Sequence, residues 1–318
     1  MPRVLITGIT GFAGSHLAER ALARGHDVAG FALDPPPYRN LAAVADRVRM
    51  SRGDVADAAA VRATILAFRP DVVLHLAGQA VPSLAARDVG AAVRANVEGT
   101  AGVVAALAGQ PGVTLVVASS AEVYGASAGG ALREDAPLRP PNVYAATKVA
   151  AETVARSRAD GVTVVLRPAN QVGPRLHPML VASAFARQVA AAEAGIGPAT
   201  IRHGRLDARR EFTDVRDMAD AYLAAAGLRE SGTYNVSSEQ VVPIARVLEI
   251  LTGFARVPVR TELDPERLRA GDPEVFRLDA SAFRARTGWA PHVPLERSLS
   301  DLLDWWREEI RREVPANA

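Results

Sequence analysis

The sequence reads Gly8-Ile9-Thr10-Gly11-Phe12-Ala13-Gly14 between an apolar run at residues 3–7 and an amphipathic stretch at residues 12–24. Glycines at this spacing allow a tight turn and a close approach of the backbone, and the start of the following helix can meet a pyrophosphate. The order of strand, turn and helix therefore predicts a dinucleotide-binding unit. The cofactor contacts of this unit would come from Gly8, Gly11, Phe12, Ala13 and Gly14.

Outward from this turn, short β-branched runs alternate with Ala-rich stretches as far as residue 170, which predicts an α/β fold with a doubly wound parallel sheet of the Rossmann type. Strands are predicted at residues 3–7, 27–32, 48–51, 72–76, 113–118 and 162–167, and helices at residues 12–24, 57–68, 89–108, 144–157 and 180–193. We expect residues 1–170 to form the dinucleotide-binding domain. Residues 171–318 would form a smaller C-terminal substrate-binding α/β lobe that returns some segments to the Rossmann sheet.

Composition narrows the classes of function. The 318 residues contain no cysteine, which excludes disulfides, thiolate metal sites, iron–sulfur clusters and cysteine nucleophiles. A net charge of +2 makes nucleic acid a poor partner. The sequence has no apolar run of the roughly 18 residues that cross a bilayer, so we expect no membrane partner and a cytoplasmic protein. The histidine spacing matches no metal-ligand pattern, and we expect His75 to be a hydrogen-bonded strand residue.

Tyr144 and Lys148 form a YxxxK pattern, and Lys148 is the only lysine in a chain whose other basic residues are arginines. Residues four apart share one face of a helix, where the ammonium would lower the pKa of the phenol and make it usable as an acid or base. Ser120 follows the fifth predicted strand, at the sheet edge where such folds bind ligands. These three residues are the predicted catalytic group. Glu122 is either a second catalytic carboxylate or a solvated loop residue.

Further residues complete a known pattern. The glycine turn, His75-Leu76-Ala77-Gly78, Ser120, Tyr144 with Lys148, and the stretch from Arg210 to Asp217 resemble the extended short-chain dehydrogenase/reductase family, or NAD-dependent epimerase/dehydratase family, whose members act on nucleotide sugars. The resemblance covers nearly the whole chain. Within the family, the reductases of GDP-linked 4-keto-6-deoxy sugars are the most similar, on the basis of residues 7–17, 167–174, 183–188 and 264–269.

The resemblance implies NAD(P)H-dependent reduction of the C4 ketone of GDP-4-dehydro-6-deoxy-D-mannose to GDP-D-rhamnose, without a metal. Tyr144 would donate the proton, Ser120 would hold the carbonyl oxygen, and Lys148 would bind the nicotinamide ribose. The resemblance also implies a homodimer formed through helices 89–108 and 144–157. Additional cofactor contacts would be Asp34, Asp54, Val55, Leu76, Ala77 and Gly78. Substrate contacts would be Gln79, Ser120, Glu122, Asn170, Arg187, Arg210 and Arg269.

Cofactor preference stays open between NAD and NADP. Ala32 occupies the position where related enzymes carry a ribose-binding Asp, although Asp34 is close by, and no Arg lies between Arg24 and Arg39 to bind a 2′-phosphate. Asp54 could meet the adenine or could equally cap a helix.

Three alternatives also stay open. A GDP-mannose 4,6-dehydratase would need a polar residue and a Glu after the catalytic hydroxyl, where this chain has Ala121 and Glu122. A UDP-sugar 4-epimerase could use the same triad with a tightly held NAD. A non-catalytic dinucleotide-binding protein is disfavoured because Tyr144 and Lys148 are both present.

Overall fold

The computed structural model describes residues 2–126, 130–268 and 275–313. Within them, a central sheet of seven parallel strands has the order β3-β2-β1-β4-β5-β6-β10. The strand order reverses between β1 and β4, which creates the crevice where doubly wound sheets bind ligands. The predicted α/β Rossmann architecture is thereby confirmed. The strands are β1 (Arg3–Thr7), β2 (Asp27–Ala32), β3 (Arg49–Arg52), β4 (Val72–His75), β5 (Thr114–Ala118), β6 (Thr163–Pro168) and β10 (Gly232–Val236).

Helices cover both faces of this sheet, as the continuous apolar strands predict. Val4 and Ile6 of β1 pack into the core formed with α1 (Phe12–Ala23) and α8 (Val215–Ala226). Leu5, between them, points to the opposite face and packs with residues of α2 (Ala58–Phe68). The alternation of side chains along one strand therefore supplies both cores.

The remaining helices have the following bounds: α3 (Pro82–Arg87), α4 (Val89–Val93), α5 (Gly99–Ala106), α6 (Val143–Arg156), α7 (Val181–Glu193), α9 (Ile244–Gly253), α10 (Ser281–Thr287) and α11 (Leu295–Glu313). The single helix predicted at residues 89–108 is corrected, because a π-helical turn, Arg94–Glu98, separates α4 from α5. This turn carries Asn96, a buried polar side chain with several hydrogen bonds. Such turns occur frequently at functional sites.

The second half of the chain forms two smaller sheets among the described residues. One contains β7 (Asn170–Val172), β9 (Arg209–Asp214) and β11 (Val241–Pro243), and the other pairs β8 (Thr200–His203) with β12 (Arg260–Leu263). Helices α7, α9 and α11 pack into a core that is separate from the two cores of the large sheet. Strand β10 also comes from this half of the chain, yet it pairs with β6 in the large sheet.

Candidate active site

The three side chains predicted to carry catalysis meet at the carboxyl edge of the central sheet. Tyr144 and Lys148 lie one turn apart on α6, and Ser120 follows the end of β5. The Ser120 hydroxyl hydrogen-bonds the Tyr144 phenol, and Lys148 Nζ donates to the carbonyl oxygen of Ala118 at 2.8 Å. Because Ser120, Tyr144 and Lys148 are all buried, they present a desolvated hydroxyl, phenol and amine in one place.

The protonation of this group differs from the sequence-based prediction. Burial raises the pKa of Tyr144, the charge of Glu122 raises it further, and the hydrogen bond with Ser120 opposes both effects. The net shift is therefore upward, opposite to the predicted one, because desolvation of the phenol is its largest cause; Lys148 Nζ lies 6.0 Å from the ring centre. Tyr144 is protonated at neutral pH and can act as an acid. Burial also lowers the pKa of Lys148 to about 8, against the opposing charge of Glu152.

Glu122 lies at the same site. Its Oε2 accepts a hydrogen bond from Asn142 Nδ2 at 3.0 Å, and its backbone N–H donates to Ser120 Oγ at 3.1 Å. Of the two alternatives that the sequence left open, the structure therefore has the carboxylate beside Ser120 and Tyr144 rather than on an exposed loop.

The glycine turn has the shape that a dinucleotide requires. Gly8 has φ +70°, and a Cβ there would lie 2.7 Å from Ala77 N. A Cβ at Gly14 would lie 2.2 Å from Gly8 O, so the turn can close only without side chains. Gly11 caps α1 without a side-chain hydrogen bond, which leaves the first N–H groups of the helix, beginning at Phe12 and Ala13, able to bind an anion. These residues fit the pyrophosphate of NAD or NADP.

The loop after β4 contains three more of the predicted cofactor residues: Leu76, Ala77 and Gly78. A Cβ at Gly78 would be 2.3 Å from Asn96 Oδ1 and 3.8 Å from Lys148 Nζ, so this glycine lies close to the lysine that the sequence predicts to be catalytic. The predicted cofactor residues of the β4 loop and the catalytic group are thus neighbours in space.

The three residues predicted to bind the adenosine end have different surroundings. Asp34 Oδ2 accepts from Thr10 Oγ1 at 2.6 Å, which attaches it to the glycine turn. Asp54 Oδ1 accepts from Ala56 N at 2.9 Å in a local turn, and Val55 is buried. The suggestion that Asp54 caps a helix is wrong, because Asp57 is the N-cap of α2 and accepts from two of its first N–H groups.

Sequence analysis missed Asn96. Its Oδ1 accepts from Gln79 N at 2.8 Å, and its Nδ2 donates to Gln79 O at 3.2 Å and to Thr147 Oγ1 at 2.8 Å. Asn96 therefore connects the loop after Gly78 to α6 between Tyr144 and Lys148. A lone Asn inside an otherwise Ala- and Val-rich helix was the signal that could have revealed it.

His75 is the hydrogen-bonded strand residue that the sequence predicts. Its Nδ1 pairs with Thr7 Oγ1 at 2.7 Å and its Nε2 with Thr100 Oγ1 at 3.0 Å. Burial and the charge of Lys148 lower the pKa of His75 to about 3, so the ring stays neutral. Within the described residues, no cluster of three His, Asp or Glu side chains could hold a metal.

The predicted substrate residues are spread over several elements. Asn170 on β7 and Arg210 on β9 belong to adjacent parallel strands, and Arg210 Nη1 donates to Arg209 O at 2.8 Å. Gln79 Oε1 accepts from Val81 N at 3.0 Å. Arg187 of α7 instead faces α11, with its guanidinium 5.6 Å from the Trp306 ring centre and 3.9 Å from Glu313. Arg269 lies outside the described residues.

The side chain of Gln171 carries a buried polar atom. The side-chain oxygen of Gln171, next to Asn170, is buried and has no hydrogen-bond partner within the part of the chain that the structure describes. The same side chain hydrogen-bonds the buried phenol of Tyr222, whose presence contributes to the raised pKa of Tyr144.

The helices of residues 2–126, 130–268 and 275–313 include none that is both long enough and apolar enough to span a bilayer.

Comparisons with known proteins agree with this geometry. Residues 4–237 match the model of the NAD dependent epimerase/dehydratase family. The chain is 33% identical to GDP-6-deoxy-D-mannose reductase of Pseudomonas aeruginosa, over 98% of this chain and 99% of that protein. It is 32% identical to UDP-glucose 4-epimerase of Mycolicibacterium smegmatis, over 96% and 99% of the two chains. The solved structure of RMD from Pseudomonas aeruginosa complexed with NADPH has a TM-score of 0.82 and 29% identity, covering 97% of this chain and all of that one (100%).

Proposed function

The chain belongs to the NAD-dependent epimerase/dehydratase family, and on that premise we propose that it reduces the C4 ketone of GDP-4-dehydro-6-deoxy-D-mannose to GDP-D-rhamnose. Family membership confirms the resemblance in the sequence and makes the chain an NAD(P)-dependent enzyme acting on nucleotide sugars. The observation that carries the proposal is the protonated Tyr144 phenol, which is buried beside the Ser120 hydroxyl. A reductase needs such an acid at the oxygen of a ketone.

In this proposal, Ser120 donates a hydrogen bond to the ketone oxygen and Tyr144 donates the proton that the oxygen takes up on reduction. The positive charge of Lys148 then stabilises the phenolate that Tyr144 becomes. When bound, the reduced nicotinamide supplies the hydride. The fit of Gly8, Gly14 and Gly78 to a close backbone approach supports this arrangement.

The substrate side of the proposal involves the C-terminal half. We assign residues 1–170 to the cofactor and residues 171–318 mainly to the substrate, with Asn170, Arg210 and Arg269 directed at the nucleotide diphosphate. Arg forks match phosphate oxygens. Gln79 and Arg187 stay as candidate substrate contacts, although Arg187 is directed at α11.

The experiment mixes purified enzyme with freshly generated GDP-4-dehydro-6-deoxy-D-mannose and follows nicotinamide absorbance with NADPH and NADH in parallel. Oxidation of either cofactor, with a proton NMR spectrum of GDP-D-rhamnose, is the expected result. The 6-deoxytalose epimer would show that the ketone meets the hydride from its other face. No oxidation with either cofactor would refute the proposal.

A second candidate is GDP-mannose 4,6-dehydratase, favoured by the Glu122 carboxylate that Asn142 holds beside Tyr144. A dehydratase recycles its cofactor, so it would release a ketone from GDP-mannose without added NADPH. Ala121 counts against it, because proton transfer to the leaving hydroxyl needs a polar group there. Incubation of the enzyme with GDP-mannose alone separates the two candidates, and UDP-glucose in a parallel tube tests the epimerase.

We further propose a homodimer formed through the helices in residues 89–108 and 144–157. Val89 and Val93, one turn apart on α4, are 49% and 38% exposed, and a second copy would cover them. Light scattering at micromolar concentration should give twice the chain mass of 33.5 kDa. A Val93→Asp variant should shift the mass toward that of one chain, and a monomeric mass for the unmodified protein would refute the dimer.

A further inference from the structure

A buried carboxylate lies directly beneath the catalytic group and has no part in the mechanism above. Glu152 on α6 is 0% exposed, and Arg167 at the end of β6 is 4% exposed. Arg167 donates from Nε to Oε1 at 2.9 Å and from Nη2 to Oε2 at 2.7 Å. Burial would raise the pKa of Glu152, but the hydrogen bonds and charge of Arg167, together with the hydrogen bonds from Ser119 and Arg156, outweigh burial and lower it. Glu152 is therefore an ionised group in the interior.

Glu152 lies on the same face of α6 as Tyr144 and Lys148. Tyr144, Lys148 and Glu152 follow one another at intervals of four residues on one face of the helix. These three side chains contact three consecutive residues at the end of β5. Lys148 Nζ donates to Ala118 O at 2.8 Å, and Ser119 Oγ donates to Glu152 Oε1 at 2.5 Å. Ser120 hydrogen-bonds Tyr144. The helix and the strand end are thus fastened at three successive residues.

We propose that Glu152 is a positioning residue of the active site, supplying the negative charge that keeps Lys148 protonated and the anchor that fixes Ser119, and through it Ser120, against α6. The inference rests on the proposed roles of Ser120, Tyr144 and Lys148.

The surroundings of Lys148 make Glu152 its source of negative charge. Burial lowers its pKa to about 8, and Glu152 is the group whose charge opposes that shift. Two neighbours of Lys148 carry no charge at neutral pH, because the pKa of Tyr144 is raised and that of His75 is lowered to about 3. The cations Arg167 and Arg156 contact Glu152 itself. Without Glu152, the buried amine would lose its proton at a lower pH.

The other contacts of Arg167 hold the Glu152 carboxylate in a fixed position. Its Nη1 donates to Tyr124 Oη at 2.8 Å and to Glu134 O at 3.1 Å. Tyr124 in turn donates to Asn235 Oδ1 on β10 at 2.7 Å. The carboxylate that receives Ser119 is thereby fixed to β6, to the turn after Ser120 and to β10, so it cannot move independently of the sheet.

The chain contains a matched control for a purely structural ion pair. Glu193 of α7 accepts from Arg307 Nε at 2.7 Å and Nη2 at 2.7 Å, and both side chains are buried or nearly so. The pair lies in the separate core of the C-terminal half. Losing either pair should cost stability, but only loss of Glu152 should affect the catalytic lysine.

The test uses the single lysine of the chain. Protein labelled with ¹⁵N at the lysine Nζ gives one side-chain signal, so the pKa of Lys148 is read directly by NMR titration, without substrate. We expect Glu152→Gln to lower this pKa by about one unit relative to the wild type. Glu193→Gln should leave it unchanged while lowering Tm comparably. An unshifted pKa in Glu152→Gln would overturn the charge assignment.

Glu152→Gln leaves the charge of Arg167 without its ion-pair partner, and that charge could itself lower the pKa of Lys148. A double variant separates this effect from the loss of Glu152. In Glu152→Gln/Arg167→Met both charges are absent, and apolar replacement of a buried pair is often tolerated by the fold. The pKa of Lys148 should stay below the wild-type value. Its return to that value would show that the unpaired Arg167, rather than the loss of Glu152, caused the shift, and would overturn the proposal.

Ser119→Ala tests the anchor. Glu152 keeps Arg167 and Arg156 as partners, so the fold and the pKa of Lys148 should be unchanged. We expect kcat for ketone reduction to fall by roughly tenfold with KM unchanged, because a misplaced Ser120 affects the reacting geometry rather than binding. An unchanged kcat would overturn the anchoring role. Since the titration needs no sugar, absence of ketone reduction by the wild type would refute the proposed function and leave the charge assignment to be decided by NMR.

Discussion

At the scale of single residues, the protonation of Tyr144 is the decisive property of the site. Its neighbours Ser120 and Glu122 come from one turn after β5, whereas burial comes from the packing of α6. Burial and the nearby carboxylate both raise the pKa of the phenol. The residue is therefore an acid that gives up its proton when an acceptor is in contact, which suits reduction.

Tyr144→Phe removes the proton donor and keeps the ring. We expect kcat to fall by roughly 10²- to 10⁴-fold, because this is the usual contribution of a positioned general acid. Cofactor binding, measured by NAD(P)H fluorescence, should change little. Tyr234→Phe loses a phenol that interacts with Arg286 on the surface and should keep the full rate. Full activity of Tyr144→Phe would show that the proton comes from elsewhere.

At the scale of elements, the turn between β1 and α1 combines two requirements. Gly8 needs its positive φ, and Gly14 must approach Gly8 O with no Cβ between them. The second requirement is the stricter one, because a backbone oxygen held between a strand and a helix cannot move aside.

Gly14→Ala should therefore displace the start of α1 from β1 and weaken cofactor binding. The dissociation constant for NAD(P)H, from fluorescence titration, should rise by at least tenfold. Gly253→Ala is the matched control, since a Cβ at this end of α9 has no atom within 4 Å and Ala favours helix. Equal affinity in the two variants would contradict the assignment of the glycine turn to the cofactor.

The N-cap residue of α6, Asn142, makes two separate side-chain hydrogen bonds. Asn142 Oδ1 accepts from Ala145 N at 2.9 Å as the N-cap, while its Nδ2 donates to Glu122 Oε2 at 3.0 Å. The same side chain thus caps the start of α6 and holds the Glu122 carboxylate beside Tyr144.

Asn142→Asp keeps the helix cap but removes the hydrogen bond to Glu122. Aspartate is an equally good cap and suits the positive end of the helix, so Tm should stay within a few degrees. The donor to Glu122 is lost and a second carboxylate is placed beside it, which should raise the pKa of that pair and shift the acidic limb of the kcat profile upward. Asn142→Ala should lose roughly 1 kcal/mol of stability from the missing cap. An unchanged pH profile in Asn142→Asp would show that Glu122 does not influence the reaction.

At the scale of the whole molecule, Glu211 connects segments that are distant in sequence. This buried carboxyl of β9 accepts from Ser237 Oγ at 2.6 Å and from Leu278 N at 3.2 Å. Burial raises its pKa to about 7, and hydrogen bonds oppose the shift only in part. In the native protein it is therefore protonated up to nearly neutral pH.

This shift makes stability depend on pH. Between pH 4.5 and 7 the native state binds a proton at Glu211 that the unfolded chain has released, so the free energy of unfolding falls as pH rises through this window. Relative to Glu211→Gln, which does not titrate, the wild type should lose up to about 3 kcal/mol between pH 4.5 and 8 in urea unfolding. Glu230→Gln, an exposed control, should follow the wild type. Parallel curves for the wild type and Glu211→Gln would contradict the shifted pKa.

The sequence by itself determined the features that depend on neighbours along the chain. The apolar runs predicted six of the seven strands of the central sheet to within a residue, as with residues 48–51 for Arg49–Arg52. The seventh, β10, was not predicted, because it comes from the second half of the chain and joins the sheet only through its pairing with β6. The GxxGxxG spacing predicted the tight turn between β1 and α1, and the four-residue interval placed Tyr144 and Lys148 on one helical face. Periodicity and spacing are local properties, so a sequence displays them directly.

Only the tertiary structure decided properties that depend on segments far apart in sequence. The raised pKa of Tyr144, the hydrogen bonds of Asn96 to Gln79 and Thr147, and the placing of Arg187 against α11 belong to this class. So does the contact between Ser119 and Glu152, which joins the end of β5 to the third turn of α6. Burial and electrostatic interaction depend on distance in space, and a sequence states only distance along the chain.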